Sequence, residues 1–179
     1  MIILMGAAGA GKGTQGHLLQ QETGYDYVST GEILRELATP VQQERMLTGE
    51  LLDDDEIFKI VDEALTAASD PNRVILDGFP RTVRQADWLL QQVAAGRFAK
   101  PCVINLEVSE AVMHDRLASR GRQDDAEAVI RHRFQNYQDV TTPVLKQLKA
   151  AGVDILDINA DEAPEAVRKA VRTALKERL

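Results

Sequence analysis

Short apolar runs alternate along the chain with longer segments of helical spacing. Residues 1–5, 27–29, 74–77, 103–108 and 153–158 are compact, mostly apolar and in several cases rich in β-branched side chains. Strands covered on both faces of a parallel sheet have this pattern. Between them, residues 15–22, 54–68, 82–95, 110–119 and 124–150 carry helical spacing. A last amphipathic helix is predicted over 163–178, with Pro164 in its first turn. The alternation predicts an α/β fold: a five-stranded parallel sheet with helices on both faces, binding ligands at the carboxyl ends of its strands. Two stretches break the rhythm. Residues 30–52 form a small helical hairpin interrupted at Thr39-Pro40, and 120–125 is a short charged break between two helices. Both are candidate mobile covers of one domain spanning 1–179.

Gly6-Ala7-Ala8-Gly9-Ala10-Gly11-Lys12-Gly13-Thr14 follows the first strand and opens a helix. Gly6, Gly11 and Lys12 fit the phosphate-loop pattern G-x-x-x-x-G-K. Glycines let the backbone wrap a phosphate with its N–H groups inward, and the helix N-terminus adds partial positive charge. Lys12 would reach the β- and γ-phosphates. The strand at 74–77 ends in Asp77, a usual position for a carboxylate that orients Mg2+ through water.

Composition narrows the partners. The 179 residues carry a net charge of −7, which disfavours non-specific nucleic-acid binding, so anionic ligands must be held by locally clustered arginines. No stretch approaches the length of a membrane span. The short apolar start lacks a basic leader, so a cytoplasmic location without membrane attachment is expected. Cys102 is the only cysteine, which excludes an internal disulfide or a multi-cysteine zinc site. His17, His114 and His132 have no metal-ligand spacing.

The run Gly11-Lys12-Gly13-Thr14, with Ser29-Thr30-Gly31-Glu32-Ile33-Leu34-Arg35, Gly49-Glu50-Leu51-Leu52 and Asp77-Gly78-Phe79-Pro80-Arg81-Thr82, resembles the adenylate kinase family in order along nearly the whole chain. Arg116 through Asp125, with Arg133 and Tyr137, resembles that family's lid and the helix after it. The chain departs at Ala8, where proline is usual, at Glu32, where aspartate is usual, and in a shorter hairpin and lid. The resemblance implies phosphoryl transfer from MgATP to AMP giving two ADP. It implies ATP contacts at Gly9, Ala10, Gly11, Lys12, Gly13, Thr14, Arg116, Arg120 and Glu162. AMP contacts are implied at Thr30, Arg35, Leu52, Gly78, Phe79, Pro80, Arg81, Gln85, Arg122 and Arg133. Lys12, Arg81, Arg120, Arg122 and Arg133 would act on the transferring group, with Asp124 bracing the arginines. Gln85 would read the adenine edge. A monomer is the family default, Mg2+ would accompany ATP, and the lack of a cysteine cluster excludes the zinc-bearing lid of some relatives. A kinase for UMP or CMP, or an adenylate-sensing module without turnover, are the alternatives.

Overall fold

In the computed structural model, residues 1–120 and 126–176 are described. Strands β1 (Ile2–Gly6), β2 (Asp26–Ser29), β3 (Val74–Asp77), β4 (Cys102–Glu107) and β5 (Asp154–Asn159) form one sheet in the order β2-β3-β1-β4-β5. Every pairing is parallel. The observed strands agree with the apolar runs to within one residue at either end.

The helices are α1 (Lys12–Thr23), α2 (Thr30–Leu37), α3 (Pro40–Leu47), α4 (Asp54–Ala67), α5 (Val83–Ala94), α6 (Glu110–Arg120), α7 (Glu127–Asn136), α8 (Thr142–Ala150) and α9 (Pro164–Lys176). Alternation within β1 sorts them into two layers. Ile3 and Met5 join a core with Leu34 of α2, Ile57, Val61 and Leu65 of α4, Leu89 of α5 and Leu148 of α8. Ile2 and Leu4 face the other way, onto Leu19 of α1 and Val167, Val171 and Leu175 of α9. The buried triplets recur every four residues, so each helix lays one stripe on the sheet.

The hairpin at 30–52 breaks where Pro40 requires it. Thr39 caps α3 with a reciprocal bond pair to Gln42, and Pro40 occupies the first turn, where its missing N–H costs nothing. The single helix expected over 124–150 is corrected. α7 ends at Asn136, and a π-helical turn, Tyr137–Thr141, separates it from α8. Pro143 supplies the reason: it cannot donate to the ladder and crowds the carbonyl four residues earlier, so the backbone widens there.

At Gly16 in α1 a Cβ would lie 2.3 Å from the Tyr27 ring of β2. Tyr27 cannot swing away freely, because its hydroxyl donates to Asp77 Oδ2 at 2.9 Å. Gly16→Ala should therefore lower stability by about 1–2 kcal/mol, the overpacking cost exceeding the roughly 1 kcal/mol helix gain of alanine over glycine. Denaturant midpoints test this, and combining the change with Tyr27→Ala should remove the penalty. An unaltered midpoint for Gly16→Ala would refute the packing account.

Candidate active site

The loop after β1 turns on Gly6, whose φ of +142° and whose position, with a Cβ only 2.6 Å from the Leu106 carbonyl oxygen, exclude a side chain. The turn delivers the chain to Gly11, which begins α1 without a side-chain cap, and the first turn of α1 holds no acidic residue. α4, by contrast, opens with Asp54, Asp55 and Glu56. The N–H groups at the start of α1 are thus left for an external anion, with the helix dipole behind them.

Lys12 folds back over this loop, its ammonium donating to the carbonyls of Gly6 (2.8 Å) and Ala7 (2.9 Å). Desolvation lowers its pKa to about 8; Asp77 opposes the shift, while Arg81, Arg120 and Arg133 reinforce it. Asp77, at the end of β3, is 7% exposed. One of its oxygens accepts from Tyr27, and the other, Oδ1, is buried without a hydrogen-bond partner among the described residues. An orphaned anionic oxygen at the cleft fits a water-mediated Mg2+ ligand. Among the described residues, no cluster of three or more His, Cys, Asp and Glu side chains could hold a metal directly.

Opposite the loop, β2 and β3 end in register, Ser29 beside Asp77. That pairing sets Thr30 next to the turn after β3, its hydroxyl donating to the Asp77 carbonyl at 3.2 Å. Ser29, not Thr30, caps α2. Gly78 takes φ +86°, and a Cβ there would meet Thr30 Oγ1 at 2.5 Å. The Phe79-Pro80 bond is cis, Phe79 is buried edge-on against Trp88, and Arg81 Nε donates to the Gly78 carbonyl at 2.8 Å. Burial lowers the Arg81 pKa, Asp77 opposes this, and Arg133 and Arg35 add to it. A guanidinium remains charged regardless.

These segments enclose one cleft of about 740 Å³. Gly9, Ala10, Gly11, Lys12, Gly13 and Thr14 line it, as do Arg116, Arg120 and Glu162. So do Thr30, Arg35, Leu52, Gly78, Phe79, Pro80, Arg81, Gln85 and Arg133. Leu52 is at once a lining residue and part of the core. Arg116 donates to the Glu162 carbonyl at 2.9 Å, tying α6 to the loop before α9. Arg133 donates to the Met46 carbonyl at 3.2 Å. Arg122 and Asp124 lie outside the described residues.

Side chains to which the sequence assigned no contact with the ligands brace the site. Tyr27 orients Asp77. Asp54 accepts from Gln85 Nε2 at 2.7 Å and from the Thr82 hydroxyl at 3.0 Å. Thr141, in the π turn, donates to the Arg81 carbonyl at 3.1 Å. From the same turn Tyr137 donates to Asn105 Oδ1 at 3.2 Å; burial, with Glu107 and Asp157 nearby, pushes its pKa up to about 12. No local motif signals any of these contacts, because each partner is distant in sequence.

The chain matches the family model described as adenylate kinase over residues 4–153. It is 37% identical to an adenylate kinase of Corynebacterium urealyticum over 97% of this chain and 98% of the relative. It is 36% identical to adenylate kinase 1 of Nostoc sp., over 97% of each. With an adenylate kinase of Prochlorococcus marinus strain AS9601 it shares 40% identity over 89% of this chain and 90% of the relative.

The depressed Lys12 pKa gives a pH signature. Between about 8 and the ordinary lysine value of 10.5 the folded chain binds fewer protons at Lys12 than the unfolded chain. Stability from this group therefore rises with pH through that window. A polyphosphate beside the ammonium reverses the preference, so ATP binding near pH 8 should take up part of a proton, and affinity should fall as pH climbs further. Calorimetry in two buffers of different ionisation enthalpy measures the uptake; Lys12→Met should abolish it. Equal heats in both buffers for the unaltered chain would rule it out.

Proposed function

This chain belongs to the adenylate kinase family, and we propose that it moves the terminal phosphoryl group of MgATP reversibly to AMP, giving two ADP. The observation that carries the reading is the convergence of Lys12, Arg35, Arg81, Arg120 and Arg133, from five separate segments, on one cleft in a chain of net charge −7. The two substrates bring together about six negative charges, so juxtaposing them is the main barrier the protein must lower.

In this reading the 9–14 loop, Arg116, Arg120 and the Glu162 backbone take ATP. Thr30, Arg35, Leu52, Gln85 and the 78–81 turn take AMP, the helical segment 30–52 serving as the acceptor-binding insertion. An AMP phosphate oxygen attacks the terminal phosphorus. The new P–O bond forms as the bond to the β-phosphate oxygen breaks, and ADP leaves with that electron pair. The attacking oxygen is already anionic, so no general base is required. Lys12, Arg81, Arg120 and Arg133 align the phosphates and stabilise the charge spread over the transferring group. Mg2+, when bound, would neutralise β- and γ-phosphate charge, with Asp77 holding it through water. The proposed working unit is a monomer. No described helix is long and apolar enough to cross a membrane, and the proposed setting is the cytoplasm, with ATP, AMP and ADP as partners.

The test is to incubate the chain with MgATP and AMP, UMP, CMP or GMP and to separate the nucleotides. ADP formation that requires AMP is expected; transfer to another acceptor, or to none, overturns the assignment. Arg81→Ala should reduce kcat about 10²–10³-fold while the thermal midpoint is retained, as for loss of one preorganised oxyanion contact. Near-normal turnover in that variant would contradict the role given to Arg81.

A further inference from the structure

Gln85 is 2% exposed, yet it reaches the cleft. Its carboxamide could in principle stand in two orientations related by a half-turn, exchanging donor and acceptor. The two orientations suit different bases. A 6-amino purine presents a donor at position 6 and an acceptor at N1. A 6-oxo purine presents an acceptor and then a donor, the reverse order. A carboxamide free to turn would serve both.

Here it is not free to turn. Oε1 accepts from the Arg81 backbone N–H at 2.7 Å, and Nε2 donates to Asp54 Oδ1 at 2.7 Å. A backbone N–H can only donate and a carboxylate can only accept. Turning the amide would set N–H against N–H and oxygen against carboxylate, replacing two hydrogen bonds by two repulsions. Asp54 is itself held. The Thr82 hydroxyl donates to its two oxygens at 3.0 and 3.1 Å and accepts from the Gln85 N–H at 3.1 Å. Asp54 also occupies the first turn of α4, where the helix dipole favours a carboxylate. One lone pair on Oε1 and one N–H on Nε2 remain for a ligand, in one fixed order.

We propose that Asp54 is a specificity-determining positioning residue, which holds Gln85 in one amide orientation so that the acceptor pocket selects 6-amino over 6-oxo purine monophosphates. The inference rests on the reading that Gln85 faces the acceptor base. Asp54 is not among the lining residues of the cleft, so it acts through Gln85 and not on the base. The size-matched probe is IMP, which differs from AMP only in the group at position 6 and the N1 proton.

The experiment compares kcat/KM for AMP and IMP in the unaltered chain and in Asp54→Ala, Asp54→Ser and Asp54→Asn, with ATP affinity and the thermal midpoint measured alongside. Asp54→Ala should lower the AMP-to-IMP ratio roughly tenfold or more, the worth of one charge-assisted bond. KM for AMP should rise more than kcat falls, and ATP affinity should hold. Asparagine, whose Oδ1 can still accept from Nε2, should restore most of the ratio. Serine, too short to reach Gln85, should behave as alanine does and carries the test if the alanine variant does not fold. A purely structural role would depress both acceptors alike and leave the ratio unmoved. An unchanged ratio in a folded Asp54→Ala or Asp54→Ser variant overturns the proposal while leaving AMP phosphorylation intact. Failure of the unaltered chain to phosphorylate AMP overturns the assigned function, and this proposal with it.

Discussion

The cleft depends on the buried carboxylate of Asp77. Lys12 and Arg81 are both desolvated, and Arg133 works against the charge of each. Asp77 is the group that opposes both shifts. Removing it would leave buried cations facing one another, an arrangement that costs more than either burial alone. The carboxylate is itself constrained: the Tyr27 hydroxyl holds one oxygen, and the backbone beside it is fixed by the pairing of Ser29 with Asp77. Tyr27 in turn requires Gly16 on α1, because only a glycine leaves room for its ring. The electrostatics of the site thus reach back into strand register and helix packing.

The sheet order brings these parts to one place. All five strands are parallel, so every loop that follows a strand emerges at the same end. β1 stands in the middle, between β3 and β4, and the chain runs to one side of it for β2 and to the other for β5. The order reverses around the carboxyl end of β1, where open parallel sheets leave a crevice. The loop carrying Lys12 and the turn carrying Arg81 come from adjacent strands, β1 and β3. Their convergence follows from the order of the sheet and needs no long excursion of either loop.

The parts of the site legible in the sequence are those whose residues act through near neighbours. The glycine loop, Asp77 with the turn to Arg81, and the Thr30–Arg35 segment are short runs whose spacing encodes their geometry. Gln85 could be named, but its full set of partners could not, because one of them, Asp54, lies 31 residues away. The contact of Tyr27 with Asp77 spans 50 residues, and that of Thr141 with Arg81 spans 60. Such pairs are fixed by strand order and helix placement, which periodicity does not reveal. The π turn was illegible for another reason. Apolar spacing continues through Tyr137–Thr141, so the pattern reads as one helix, although Pro143 imposes a wider turn that aims Tyr137 and Thr141 at the site.

The helix before that turn, α7, also holds the hairpin at 30–52. At the end of α3 and just beyond it, the carbonyl oxygens of Met46, Thr48 and Gly49 face α7. There Arg133 donates to Met46 at 3.2 Å, Asn136 donates to Gly49 at 3.2 Å, and His132 Nδ1 lies 2.9 Å from the Thr48 oxygen. A helix C-terminus leaves its last carbonyls without intrahelical partners and carries partial negative charge. α7 supplies donors at that point. At Gly49 a Cβ would stand 3.1 Å from the Arg133 side chain, so the approach is close. The arginine that lowers the pKa of both Lys12 and Arg81 thus also contacts the end of the hairpin, so the charge around the phosphate loop and the packing of the hairpin share one side chain.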